Sequence, residues 1–286
     1  DSTDHITLYG QYGEYYEDGN RGMATDSALL VDWEDEDYAY IHADSLFTAD
    51  IPNPKIDSTA PDSVYPLIRA FYQVRVYRTD LQAVCDSLIY NDRDSTMTLI
   101  GTPLCWNEGN QLSADIIHLY MVNNAIDHLH GTGAALVVKQ ETLDYFDQMS
   151  GKEIEGFIEN DKLKQVRVSG NAETIFYPLD SATHDFIGMN RTQSSYIQVF
   201  LKNDEVDHVL FTTASSGSMY PLDQVPAGQD RLSAFFWAEA ERPLQPGDVF
   251  LHPARTSRPK GAPISATQKE DDKEQPKGNT TRKKNH

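Results

Sequence analysis

Apolar and polar residues alternate in short runs along most of the chain. Thr7-Leu8-Tyr9, Ala28 to Val31, Val74 to Tyr77, Leu88-Ile89-Tyr90, Ile116 to Tyr120, Ala135 to Val138, Gln165 to Val168 and Tyr196 to Leu201 are such runs. Each is rich in β-branched and aromatic residues, which suit a pleated, half-buried surface. Turn residues separate them: Glu17-Asp18-Gly19-Asn20, Asn91 to Asp94, Asn107 to Asn110, Asn123-Asn124, Glu159-Asn160-Asp161 and Lys202-Asn203-Asp204. Asn, Asp and Gly serve there because they tolerate positive φ or bond back to their own backbone. Turns recur about every 10–16 residues, the spacing of an antiparallel sandwich, barrel or solenoid. No 3.6-residue period runs far, except near Leu232 to Ala240, so the chain is predicted to be all-β.

The runs also resemble one another. Thr25-Asp26-Ser27-Ala28-Leu29-Leu30, Ala43-Asp44-Ser45-Leu46-Phe47, Cys85 to Tyr90 and Ala114 to Leu119 place a small residue before Asp, then mostly apolar residues two and four positions on. Ser150 to Ile154 and Ser194 to Val199 are degenerate copies. A second element precedes many copies, as in Gln73 to Val76, Gly133 to Val137 and Gly170 to Glu173. A repeated β-unit that cannot bury its own face must stack on its neighbours. The period of two then assigns Leu30, Leu46, Leu88, Ile117, Leu119, Ile154, Ile197 and Val199 to an inner face. Val74, Val76, Ala135, Val137 and Ala172 join them from the second element.

Two regions depart from the pattern. Residues 50–66, with Pro52, Pro54, Pro61 and Pro66, read as a long loop. Residues 255–286 carry almost no apolar side chains and read as a disordered tail, unable to offset the entropy of ordering. The expected organisation is a β-repeat domain over 1–225, a C-terminal cap with a short helix over 226–254, and the tail.

Charge narrows the partners. The net charge is −20, yet the residues from Arg255 onward hold nine Lys/Arg and four Asp/Glu, so the body stands at −25. Such a body repels nucleic acid and anionic membrane surfaces. No run of 18 or more apolar residues offers a membrane span. The chain opens on Asp1-Ser2-Thr3-Asp4 with no signal-peptide pattern, and is read as a mature form or a portion of a longer one.

Candidate chemistry is sparse. Cys85 and Cys105 fit no metal or redox spacing, and a hairpin about residues 92–93 sets them roughly 13 Å apart, too far for a disulfide. They are read as buried thiols. Glu34-Asp35-Glu36-Asp37 lacks the glycine and closing Glu of a calcium loop and reads as a solvated hairpin tip. His128 and His130 share a strand face at a spacing compatible with metal ligation, but no third ligand accompanies them, so they read as exposed strand residues. No Gly-x-Ser-x-Gly elbow occurs and no carboxylate pair stands out. No enzyme activity, metal or cofactor is expected.

Several blocks together resemble the OstA-like proteins of the Bacteroidetes. They are Leu8 to Tyr16, Ala24 to Leu29, His42 to Leu46, Asp80 to Leu88, Arg93 to Thr96, Gly101 to Trp106, Asn110 to Asp115, Ile187 to Asn190 and Tyr220 to Asp223. The resemblance covers roughly residues 6–252 and reads as a C-terminal portion of the family pattern. It implies an OstA/LptA-type fold, a folded-over jelly roll of two facing sheets with an apolar slot. It also implies lipopolysaccharide carriage across the periplasm, outer-membrane association, and end-to-end joining with itself or with partners of the same fold. The thirteen inner-face residues then become the expected lipid-binding surface. Burial is worth about 0.8 kcal/mol per methylene, so a 12-carbon acyl chain gains roughly 9 kcal/mol without any catalytic group. The other reading of the same residues is a structural or adhesive β-module that binds protein or glycan on its outer face, with the inner face a packed core. The Asp-Ser steps, such as Asp44-Ser45 and Asp86-Ser87, are similar to O-glycosylation sites of exported Bacteroidetes proteins; as residues they read as strand-entry chemistry.

Overall fold

The computed structural model describes residues 6–33, 38–53, 64–107, 109–123, 125–160, 162–202 and 205–259. The acidic run 34–37 lies outside them. Among the described residues the chain is antiparallel β throughout, and sixteen strands form one continuous sheet. The first strands are β1 (Ile6–Tyr9), β2 (Tyr12–Tyr16), β3 (Arg21–Asp32), β4 (Ala39–Pro52), β5 (Val64–Tyr77) and β6 (Gln82–Asn91). Shorter strands follow: β7 (Thr96–Ile100), β8 (Leu104–Asn107), β9 (Asn110–Ser113) and β10 (Ile116–Val122). The last six are β11 (Ala125–Gln140), β12 (Phe146–Glu159), β13 (Lys162–Phe176), β14 (Met189–Lys202), β15 (Glu205–Thr212) and β16 (Ser216–Tyr220).

Each long strand is broken near its middle by a bulge, and the bulges align into one corner. Asp26 and Ser27 stand opposite Asp44 alone, and Tyr72 and Gln73 opposite Asp86 alone. Gly133 and Ala134 stand opposite Lys152, and Gly170 and Asn171 opposite Ser195. A two-against-one bulge bends its strand and strengthens the local twist. All of the paired residues except Tyr72 are left-handed, with φ of 59° and 65° at Asp26 and Ser27, and 75° and 45° at Gly133 and Ala134. Glycine is required at 133 twice over, because a Cβ there would also collide with the Asp115 carboxylate. The recurring aspartate of the sequence is therefore a corner residue in Asp44, Asp86 and Asp115. Asp26 sits on the two-residue side of its bulge, and both placements leave the residue two positions on pointing inward.

The corner divides the sheet into two facing walls. The first wall contains β1, β8, β9 and β16; the second contains β2, β7, β10 and β15. The two halves of β3, β4, β5, β6, β11, β12, β13 and β14 contribute to both. One apolar cluster fills the space between them, joining Leu30 and Val76 of the first wall to Leu46, Leu88 and Ile117 of the second. A Cβ added at Gly131 of the second wall would lie 3.4 Å from the Leu112 side chain of the first.

The loop expected over 50–66 is shorter, because Asp50, Ile51 and Pro52 pair with Pro66, Tyr65 and Val64. Pro52 ends its strand, and Pro66 lies beyond Leu67, where β6 stops at Asn91, so a missing N–H costs little at either place. Residues 54–63 lie outside the described set. The C-terminal segment, expected as a cap with a short helix over 226–254, has no α-helix among its described residues. It is a mostly extended strap across the outer face of the first wall, interrupted by 3₁₀ turns at Leu222–Gln224, Glu239–Glu241 and Pro246–Phe250.

The reason lies in what the strap covers. Val84, Leu104, Trp106, Leu136, Val138 and Phe146 point outward from the first wall and are buried under Phe236 and Ala238. Two fully buried glutamines hold the strap's backbone. Gln148 donates to Asp230 O at 2.9 Å and accepts from Leu232 N at 2.8 Å. Gln111 donates to Phe236 O at 3.1 Å and accepts from Ala238 N at 2.8 Å. Each amide thus pairs with residues i and i+2 of an extended chain, as a neighbouring strand would, and a helix could not satisfy them. Further along, Arg75 donates to Glu241 O at 2.9 Å and Asp248 O at 3.2 Å. Residues 255–259, expected to be part of the tail, pack back on the strap. Arg255 and the Thr256 N–H hold the buried Glu241 carboxylate at 3.1 and 2.7 Å, and Arg258 donates to the carbonyls of Thr102 and Pro103. The rest of the expected tail, 260–286, lies outside the described residues.

Candidate functional site

The thirteen residues assigned to the inner face come together. Leu30, Leu46, Val74, Val76, Leu88, Ile117, Leu119, Ala135, Ile154, Ala172, Ile197 and Val199 belong to the single buried cluster, and Val137 packs against it half-buried. The cluster runs continuously between the walls, so along most of its length the slot is filled by its own side chains.

Space opens at the end where the first strands lie. A cavity of about 440 Å³ is lined by Ile6, Leu8, Gly22, Ala24, Thr48 and Ile68, among others, with Asp50 and Asn20 also on its lining. That volume falls in the ~300–1,000 Å³ range of small-molecule sites. None of the thirteen predicted residues lines it. Its origin is visible in one inward row of the second wall, which reads Gly22, Thr48, Ile68, Tyr90, Met97, Leu119 and Leu129 from β3 to β11. Large side chains fill the row from Ile68 onward, while glycine and threonine at its start leave a void. The signal lay in the sequence at Thr48, which breaks the apolar pattern four positions after Asp44. Its neighbour in the row, Gly22, gave no sign of facing inward.

The electrostatics of this end are acidic. On β2, the Glu14 carboxylate accepts hydrogen bonds from the hydroxyls of Tyr12 and of Tyr16, the latter at 2.7 Å. These bonds hold its pKa below the ordinary carboxylate range. Elsewhere the titratable groups are structural. Burial pushes the Cys85 and Cys105 thiols up to about 12, and both are free. Their strands do not form the single hairpin expected, because β6 pairs β7 beyond the corner and β8 before it.

His128 and His130 lie on the outer face of the second wall. His128 stacks between Tyr120, at 4.0 Å between ring centroids, and Phe157, at 5.8 Å. His130 pairs across the strands with His118, whose pKa burial and His130 together lower. Among the described residues no group of three or more His, Cys, Asp or Glu is placed to hold a metal. No described helix is long and apolar enough to cross a membrane.

Comparison with known proteins adds little to this geometry. No family model matches the chain, and no curated protein matches it. Among solved structures, LptH is similar; it is the LptA-homologous periplasmic component of the lipopolysaccharide transport device of Pseudomonas aeruginosa. The TM-score is 0.35 at 14% identity, over 45% of this chain and 84% of that one. A likeness of that size carries no argument, so the two-walled fold rests on the chain's own pairing and burial.

Proposed function

We propose that the chain is a non-enzymatic periplasmic component of lipopolysaccharide transport that shields acyl chains on their way to the outer membrane. The observation that carries this reading is the apolar interior between two walls, which opens at one end into a cavity of mixed apolar and polar lining. The sequence resemblance to the OstA-like family supplies the cargo. The physical fit is partial and specific. Acyl chains gain from burial alone, so no catalytic group is needed. The body's charge of −25 repels lipid phosphates, so head groups stay in solvent. Among the described residues the sheet is open at both ends, with β1 and β2 at one and β15 and β16 at the other. Unpaired strand edges are templates for another chain, which suits end-to-end joining with a copy or a partner of the same fold.

Because the central slot is filled, lipid contact is expected first at the cavity. Photoreactive residues at Leu8 and Ile68 should capture lipopolysaccharide from cells that make it. Ile117, deep in the cluster, should capture it only if the walls part during carriage. Absence of lipid adducts at all three positions removes the proposal.

A further inference from the structure

The exposed large hydrophobic side chains at the two ends of the sheet differ in kind. On the last strands they are plain apolar groups: Val206, Leu210, Phe211 and Met219. On the first strands they are tyrosines: Tyr9, Tyr12, Tyr15 and Tyr16. Tyr12, Glu14 and Tyr16 alternate along β2 and therefore share one face, continuous with the outer face of the second wall, where Phe47 is also exposed. Their geometry is fixed internally. Both tyrosine hydroxyls donate to Glu14, one to each carboxylate oxygen, and the Arg21 guanidinium lies 5.4 Å from the centre of the Tyr16 ring.

Three features of this face limit what it can bind. The Cα positions of Tyr12 and Tyr16 stand about 13 Å apart, four residues along one strand, and their hydroxyls converge on the carboxylate between them. Tyrosine offers large, rigid, amphipathic contact area at low entropic cost. A carboxylate has about four acceptor positions, so after two tyrosine hydroxyls are bound Glu14 still accepts from a ligand, and a charged acceptor bonds about twice as strongly as a neutral one. A ligand that fits must bring apolar faces for the rings and hydroxyl donors for the carboxylate in short alternation. It must also carry no negative charge, because Glu14 and the acidic body repel it.

We propose that the Tyr12-Glu14-Tyr16 face is a binding site for a neutral saccharide chain. Pyranose rings present C–H faces to aromatic rings and hydroxyls to carboxylates, and successive sugars repeat that alternation. The site borders the interior: Tyr12 and Tyr16 lie off the cavity, while Gly13, Glu14 and Tyr15 of the same strand are on its lining. The two tyrosines, which contact no part of the cavity, distinguish a ligand of this face from one carried inside.

The test uses the full chain on an array of neutral and of phosphorylated oligosaccharides, none of them acylated. At least one neutral glycan should be retained, and free glycan should compete it off. Tyr12→Ala and Tyr16→Ala should each weaken that binding about tenfold, the equivalent of ~1.4 kcal/mol. Glu14→Gln, which keeps the shape, should weaken it too, while Leu210→Ser at the other end should not. All four positions are solvent-facing, so melting temperatures within a few degrees of the parent keep a loss of binding from being a loss of fold. Retention of no neutral glycan, preference for the phosphorylated ones, or equal binding by parent and tyrosine variants overturns the proposal. So does a photoreactive residue at Tyr12 that captures protein and no glycan. Capture of lipopolysaccharide at Leu8 and Ile68 is read separately, so either proposal can fail alone.

Discussion

The outer faces of the two walls are made by the same strands and meet opposite fates. On β11, the half that belongs to the second wall alternates: Leu129 and Gly131 face the interior, while His128 and His130 face outward. Past the corner the same strand reads Ala135-Leu136-Val137-Val138, with Leu136 and Val138 buried on the outside. The second wall faces solvent on its outer side, and the first is covered on both sides. Strands covered on both faces read as continuous apolar runs, and half-covered ones alternate. One strand here contains both signatures, and the corner between them is a bulge. The difference teaches that the strap is part of the core: without it the first wall would expose Trp106, Leu136 and Phe146 together.

The largest test of this comparison is a serine placed outward on each wall. Leu136→Ser removes a side chain that is 1% exposed and buries a hydroxyl beneath the strap. It is expected to cost about 3–5 kcal/mol, the sum of a large-to-small core change and a desolvated polar group, measured as a lower denaturation midpoint at unchanged slope. A cost below about 1 kcal/mol would mean that the strap is not seated in solution.

A smaller effect separates the strap's backbone clamps from its apolar contacts. Gln111→Ala leaves Phe236 O and Ala238 N without their partner while the aromatic side chains remain. Two orphaned buried groups cost about 2–4 kcal/mol together. Amide exchange at Ala238 should quicken before the sheet itself opens. If exchange at Ala238 and on β11 quickens in step, the strap and the wall unfold as one unit and the clamps hold the whole fold.

Covering both faces also buries a carboxylate. Asp147 accepts from Tyr177 N at 2.9 Å, and burial pushes its pKa from 3.8 up to about 7. Between those values the folded chain keeps a proton that the unfolded chain has lost. Stability from this group therefore falls as pH rises from about 4 to 7 and stays low above that. Asp147→Asn keeps the acceptor for Tyr177 and removes the titration. It should match the parent at pH 4 and exceed it at pH 8 by about 4 kcal/mol at most, since one pKa unit is worth ~1.4 kcal/mol and the shift runs from 3.8 to about 7. Equal stability at both pH values would mean that Asp147 is hydrated in solution.

These two walls also explain what was legible beforehand. The inner face could be read because the period of two is strict and the aspartate marked its phase at each corner. The facing of Leu88, Ile117 and Ile154 follows from that alone. The strap could not be read the same way. Its apolar residues, Leu232, Phe235, Phe236 and Trp237, have a spacing close to that of a helix, and nothing local reveals that Gln111 and Gln148, more than 80 residues away, hold it extended. The cavity escaped for the converse reason. A void is made by what is small, and Gly22 marks no face until its partner Thr48 is known from the register.

The smallest expected effect is the companion substitution on the open wall. Leu210 points outward from β15, is 49% exposed, and has no strap above it. Leu210→Ser should change stability by less than about 0.5 kcal/mol, as surface changes away from packed features do. Leu136 and Leu210 are the same residue type on outward positions of the same continuous sheet, so the difference between their serine variants measures the strap's cover rather than leucine's intrinsic strand preference. The result also bears on assembly. β15 is an edge strand, and Leu210 lies beside its unpaired backbone. If the loss at Leu210 grows with protein concentration while the loss at Leu136 does not, the open wall is being covered by another copy. A concentration-independent, near-zero loss leaves it solvent-facing in the isolated chain and free for a partner of different sequence.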